Sequence, residues 1–369
     1  MILEQTFCVP YRYPVWFGRG LLNPEARIVE QVLGSLPRCA VCYDQALAQA
    51  DASLAGRLEA RFRPVLPPIP VPPGERAKEG FELQRSLLSA FADARLDRHN
   101  AVVAVGGGAA IDAIGLAAAL VHRGLRLIRV PTTSLAMADA AVGVKNGINW
   151  HGAKNFIGTF APPAAVLNDY AFLEHLPVER RKDALAEAFK VAIIKDRAFF
   201  ERLEADAPRL AAGDLDALEP VIEQTARLHL RHIATGGDPF EMGSARPLDF
   251  GHWAAHKLET LTNHRLTHGQ AVAIGVALDS RYAAEIGLLP RDQVQAIIHA
   301  LTKAGLPVWD SYLLHPNLPD GIEEFRAHLG GTLAITLPAP LGAKTEVHTI
   351  DRAALDRAIQ RLKPPLSRD

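Results

Sequence analysis

The stretch AVVAVGGGAAIDAIG (101–115) limits the fold more than any other part of the chain. Five apolar residues in a row cannot alternate between core and solvent. They predict a strand buried on both faces, as in a parallel sheet. Gly106, Gly107 and Gly108 end it, and an alanine-rich run with helical spacing follows. A strand, a glycine turn and a helix N-terminus together offer backbone N–H groups to a phosphate. The third glycine of G-x-G-x-x-G is missing, so a tight turn explains the motif as well as a dinucleotide does. Asp112 reads equally as a surface acid favoured by the helix dipole. Residues 101–120 are apolar enough to suggest a membrane span, but the three glycines and Asp112 exclude that reading.

The same alternation extends to either side. CAVCY (39–43) and RLIRVPTT (126–133) read as strands, and the spacing predicts helices over 44–62 and 81–96. The segment VLPPIPVPPGERAKEG must be extended. This predicts an α/β domain with a Rossmann-like parallel sheet over 1–176. After Pro177 the pattern is helical to about residue 306, which predicts a mostly α-helical domain over 177–369. That domain closes with a strand-like GTLAITLPAPLG and a final helix, DRAALDRAIQRLK.

Net charge is −1, with a pI near 6.9, so nothing predicts a nucleic-acid partner. The three cysteines include Cys39 and Cys42 in a C-x-x-C spacing without a second ligand pair. They read as small apolar residues in a buried strand. An odd cysteine count and an N-terminus unlike a signal peptide predict a cytoplasmic protein with no membrane partner.

Residues 131–158 hold Lys145, Lys154, Asn146 and Asn155, with the single carboxylate Asp139, among Gly, Ala and Thr. That composition reads as a loop that a ligand approaches closely. Ammonium groups suit phosphate and amides suit hydroxyls, so the ligand would be anionic and hydroxyl-rich. Farther on, His252 and His256 are four apart, as are His264 and His268. Glu187 lies in an earlier helix with Lys190 one turn on. One Glu and two His from different helices make a good zinc set, but spacing does not choose among the histidines.

Four features in order are GGGAAID; RGLRLIRVPTTSLAMADAAVG with KNGIN and GAKNFIG; LAEAFKVAII; and FGH…TLTNHRLTHGQAVAIG. With these the chain resembles the sugar phosphate cyclases, the superfamily of 3-dehydroquinate synthase. The match covers most of the chain, from GERAKE to the final strand. The resemblance implies NAD on the first domain, a divalent metal (zinc, with cobalt as the alternative) and an active site in the cleft between the domains. It implies Glu187, His252 and His268 as metal ligands, leaving His264 aside. His256 would stand near the substrate phosphate. Asp139, Lys145, Lys154, Asn155 and Lys190 match the polar cluster around substrate and nicotinamide. Arg123 matches an arginine lent across a homodimer interface to the partner's phosphate site. Asp44, Glu75, Lys78, Gly107, Gly108, Asp112, Thr132 and Thr133 match positions near the cofactor.

The implied reaction oxidises a secondary alcohol with NAD, eliminates phosphate, returns the hydride and closes a carbocycle by an intramolecular aldol step. Several positions depart from 3-dehydroquinate synthases. Asn146 and Asp249 look like the 2-epi-5-epi-valiolone synthases, which cyclise sedoheptulose 7-phosphate. Those enzymes typically lack a histidine at the position of His256. Ala245 replaces an arginine that helps bind the substrate carboxylate, with Arg246 one residue late. Arg231 and His232 stand where the family has a lysine. The run GDPFEMGSARPLDFGHWAAHKLE is similar to EboD-type cyclases. An iron-type polyol dehydrogenase shares the two-domain layout, but GAKN and AEAFK argue against it.

Overall fold

The computed structural model describes residues 1–34, 38–236, 239–240 and 247–364. Two compact units divide the chain. Met1–Thr132 and Ala140–His175 form one; Thr133–Asp139 and Leu176–Asp369 form the other. The short segment Thr133–Asp139 therefore counts with the helical unit, although the sequence predicts that it continues the sheet domain.

The first unit is built on a six-stranded, all-parallel sheet. Its strands are β1 (Val15–Gly18), β2 (Cys39–Asp44), β3 (Ile69–Val71), β4 (Ala101–Gly106), β5 (Arg126–Pro131) and β8 (Ala165–Asp169). Two further strands, β6 (Lys145–Trp150) and β7 (Ala153–Phe160), form a separate antiparallel hairpin. The sheet order is β1-β8-β5-β4-β2-β3. The chain leaves β2 for β3 on one side and then returns to β4 on the other, so the strand order reverses between β2 and β4. Ligands bind at such a reversal, at the carboxyl ends of the strands. Asp44 and Gly106 are those ends.

All six residues of both β2 and β4 are buried, as their apolar sequences require. Val41, Val103, Ile128 and Leu167 face a core shared with Val29, Leu58 and Phe62. Cys39 and Cys42 lie inside β2, and burial pushes both thiols up, Cys39 to about 11. The helix predicted over 44–62 is two helices, Gln45–Ala50 and Leu54–Phe62. Asp51 breaks it by accepting from the Ser53 amide and hydroxyl, a local alternative to helix.

The loop expected over 131–158 is a short helix, Ser134–Ala138, and the β6–β7 hairpin. Arg129 holds the chain between them. Its buried guanidinium donates to the carbonyls of Ala140, Ala141, Gly143 and Lys145 and to Asn146 Oδ1. Asn146 Nδ2 donates to the Ala161 carbonyl, and the side chain is 4% exposed.

The second unit is helical, with one antiparallel pair, β9 (Ile335–Pro338) and β10 (Lys344–Val347). Phe189, Phe200, Phe250 and Trp253 are buried in it. No described helix is long and apolar enough to cross a membrane.

Candidate functional sites in the two units

In the sheet unit the glycine turn is shaped by close approach. A Cβ on Gly106 would stand 2.9 Å from Ala110 Cβ and 3.1 Å from Asp44 Cβ, and one on Gly108 would stand 3.2 Å from Ala140 Cβ. Gly107 caps the helix Gly108–Leu120 and brings no side chain to bond its first amides. Those N–H groups suit a pyrophosphate, and the glycines let the turn pack against Asp44, Ala110 and Ala140. Thr132 N donates to the Gly106 carbonyl at 2.9 Å, placing the end of β5 beside the turn. Asp44 accepts from Ala46 N at 2.9 Å and Gly74 N at 3.4 Å. Burial raises its pKa against those two bonds.

Lys78, 5% exposed, donates to Asp112 Oδ2 at 2.8 Å and to Asn155 Oδ1. Asn149 extends this cluster. It donates to Glu75 at 3.3 Å and accepts from Asn155 N at 2.9 Å. The structure thus joins Glu75, Lys78, Asp112 and Asn155 and adds Asn149, which the sequence does not single out. Lys145 is exposed and Lys154 half-buried on the hairpin. Arg123 is exposed with a left-handed backbone, φ +67°.

In the helical unit the helix Asp183–Lys195 carries Glu187 and Lys190, and both side chains are buried. They pair directly one turn apart. The helix His252–Leu261 begins with His252, and Thr267 caps the helix His268–Glu285 just before His268. Thr267 and Gln270 form a reciprocal capping box. The Thr267 hydroxyl also donates to Asp183 Oδ1 at 2.6 Å, which ties this helix start to that of the Glu187 helix.

His252 Nε2 and His268 Nε2 each lie 3.7 Å from Glu187 Oε1. That oxygen is buried and has no hydrogen-bond partner. Three ligand atoms around one zinc, with bonds of about 2.1 Å, would stand roughly 3.4 Å apart in a tetrahedral arrangement. The set therefore fits a divalent ion, and the orphaned oxygen is explained by one. The outer nitrogens are held too. His252 Nδ1 faces the Phe250 carbonyl at 3.2 Å, and His268 Nδ1 faces Glu259 Oε2 at 3.4 Å. Such partners fix the tautomer that leaves Nε2 for metal. Burial, Lys190 and the neighbouring imidazoles push His252 well below its ordinary value. Burial opposes the Glu187 charge, but Lys190 and His268 hold the carboxyl down at about 2.

His256 completes a triangle of imidazoles, its ring 5.3 Å from His252 and 6.1 Å from His268. His256, Glu259 and His268 form a second group with metal-ligand spacing. Asp139 joins this unit. It pairs with His229 Nδ1 at 2.6 Å. Burial and the Glu187 charge work against its ionisation, but His229 and Lys190 outweigh them, so its pKa is lowered. Burial opposes the Lys190 charge, but Glu187, Asp139 and Asp249 keep it raised.

The sequence reading misses His229, Glu259 and the Phe250 carbonyl. Thr133 caps the helix Ser134–Ala138 by accepting from Ala136 N. Asn146, which the sequence offers as a substrate marker, is a buried partner of Arg129. Arg246 lies outside the described residues, as does Ala245.

Residues 68–183 match the 3-dehydroquinate synthase N-terminal family and 184–323 the C-terminal one. A 3-dehydroquinate synthase from Synechococcus sp. is 35% identical, covering 85% of each chain. A 2-epi-5-epi-valiolone synthase from Streptomyces glaucescens is 35% identical, covering 77% of this chain and 74% of its own. The structure resembles a 2-epi-5-epi-valiolone synthase from Streptomyces hygroscopicus subsp. jinggangensis with NAD+ and Zn2+ bound. Their TM-score is 0.85 at 26% identity, covering 98% of this chain and 99% of the other.

Proposed function

This chain belongs to the 3-dehydroquinate synthase family, and on that premise we propose that it is a sugar phosphate cyclase acting on a seven-carbon ketose phosphate like sedoheptulose 7-phosphate. The observation that carries the reading is the Glu187, His252 and His268 cluster, with Lys190 paired to it. NAD and a divalent metal, zinc first and cobalt second, are its cofactors. When bound they supply reversible hydride acceptance and polarisation of a substrate hydroxyl.

The protein's own groups do the rest. Glu187, His252 and His268 would hold the metal, and Gly107, Gly108, Asp44, Glu75, Lys78, Asp112, Thr132 and Thr133 the NAD. Lys190, kept charged by Glu187 and Asp139, would stabilise negative charge developing on a substrate oxygen. Asp139 and His229, bonded to each other, form a pair that can carry a proton. Lys145, Lys154, Asn155, His256, Asp249 and Arg246 would bind the phosphate and hydroxyls. In this reading both units serve one reaction. The protein acts in the cytoplasm as a homodimer, with Arg123 reaching the partner's phosphate.

The lean away from a carboxylated substrate rests on Ala245, Arg231 and His232 at positions where the family carries its arginine and lysine. Asn146 supports it only by sequence likeness, since its side chain is occupied by Arg129 and Ala161. The second reading is 3-dehydroquinate synthase itself, favoured by the Synechococcus relative and by His256.

The test supplies zinc and NAD, then offers sedoheptulose 7-phosphate or the carboxylated precursor of 3-dehydroquinate. Inorganic phosphate and net NADH are both followed. Phosphate from the uncarboxylated sugar without NADH accumulation is expected. Phosphate from the carboxylated sugar alone moves the assignment to the second reading. Net NADH without phosphate overturns both in favour of a dehydrogenase.

A further inference from the structure

We propose that Asp279 is a positioning residue for the metal centre: its carboxylate fixes the residues on both sides of His252 and so aims His252 Nε2 at Glu187. The inference rests on the metal reading above.

Asp279 stands on the same helix as His268 and is 2% exposed. A buried carboxylate needs donors. Both that it finds belong to the segment bearing His252. Oδ1 accepts from the Trp253 indole Nε1 at 2.8 Å, and Oδ2 accepts from Gly251 N at 3.0 Å. The residue between those donors is His252.

Contact fixes the remaining freedom. Gly251 has φ +79°, and a Cβ there would stand 2.7 Å from Val276 N. A Cβ on Gly275 would stand 2.0 Å from the Gly251 carbonyl oxygen. The backbone before His252 is therefore pressed onto the Asp279 helix, and only glycine permits this at either position. Backbone contact sets how close the two helices come. The carboxylate sets how the first turn of the His252 helix is rotated. With Nδ1 held against the Phe250 carbonyl, that rotation decides where Nε2 points. Two donors arriving together need two acceptor oxygens. The carboxyl group presents two oxygens to these donors, Oδ1 to Trp253 and Oδ2 to Gly251, and an amide presents one, so Asn is not equivalent here.

Asp279→Asn and Trp253→Phe each remove part of the clamp without touching a proposed ligand. The experiment measures zinc release from the holoprotein to a colorimetric chelator and the visible bands of the cobalt-substituted protein. Leu203→Ala, a truncation in the core of another helix, serves as the stability control. Both clamp variants should release zinc about 10–100-fold faster and shift the cobalt bands. Leu203→Ala should melt lower with wild-type release and bands. Trp253→Phe carries the test if Asp279→Asn fails to fold. Clamp variants that melt lower but keep wild-type zinc release and cobalt bands overturn the proposal and leave Asp279 as ordinary core. Wild-type protein that holds neither metal overturns the metal reading itself, a separate and visible outcome.

Discussion

His268 is held by carboxylates at both ring nitrogens, Glu187 at 3.7 Å and Glu259 at 3.4 Å. In the proposed metal site Nε2 would share the ion with Glu187, and Glu259 stands beside Nδ1, which favours the tautomer with its proton there. His229 plays a different part, because its partner is Asp139 and not a ligand. His229→Ala should lower phosphate release roughly 100-fold while metal content, measured by elemental analysis, stays at the wild-type level. Loss of metal with activity would show that His229 is part of the metal support. Asp279 gives a second prediction. Burial raises its pKa from 3.8 to about 7 against two hydrogen bonds. Between those values the native state keeps a proton that the unfolded chain has lost. Its contribution is thus fullest below pH 3.8 and is lost as pH rises through about 7. Three pKa units correspond to roughly 4 kcal/mol. Denaturant titrations from pH 4 to 8 should therefore show the stability gap between wild type and Asp279→Asn moving in favour of the variant, since every other group titrates alike in both. A gap independent of pH would mean that Asp279 is ionised throughout.

At the scale of elements, the β6–β7 hairpin shows why part of the fold is hard to read. Its residues, KNGINW and AKNFIGTF, carry turn-forming Asn and Gly and lack a clean apolar alternation. The glycines are there because the strands meet backbone to backbone. Gly147 pairs with Gly158, and a Cβ on Gly158 would stand 2.5 Å from the Asn146 carbonyl oxygen. Close approach was legible; the strands were not, because the features that permit the approach erase the strand pattern. The buried strands β2 and β4 had the opposite character and could be read directly. The proposed metal trio lies between these cases. Spacing offered four histidines, and only the family resemblance separated His252 and His268 from His256 and His264. His229 and Glu259 gave no local signal, because a single polar residue on a helix reads as surface. Arg129 was as silent within an apolar strand. Its arrangement carries a further prediction. A Cβ on Gly115 would stand 1.8 Å from Asn146 Oδ1, so Gly115→Ala must displace the amide from Arg129. Gly115→Ala should cost about 1–3 kcal/mol. In an Asn146→Ala background it should cost clearly less, a non-additivity that a double-mutant cycle reads directly. Additive costs would mean that the methyl is resisted by Leu127, 3.1 Å away, and not by the Asn146 network.

For the molecule as a whole, the division into two units puts the proposed cofactors in different places. The glycine turn and the Lys78–Asp112 pair belong to the sheet unit, and all three proposed metal ligands belong to the helical one. A ligand stabilises the unit that holds it, by RT ln(1 + [L]/Kd), which is about 2.7 kcal/mol at one hundred times Kd. For a unit of 150–250 residues that is a rise of roughly 5–10 °C in its melting temperature. NAD should raise one calorimetric transition, and a chelator should lower the other. The variants must separate in the same way. Glu187→Gln removes the carboxylate from the metal trio and should abolish the zinc-dependent shift while keeping the NAD-dependent one. Asp112→Ala removes one partner of Lys78 and should weaken the NAD-dependent shift while zinc still acts. If both cofactors move a single transition, the two units unfold as one cooperative body. The cofactor assignments would then have to be separated by direct binding titrations of the same two variants.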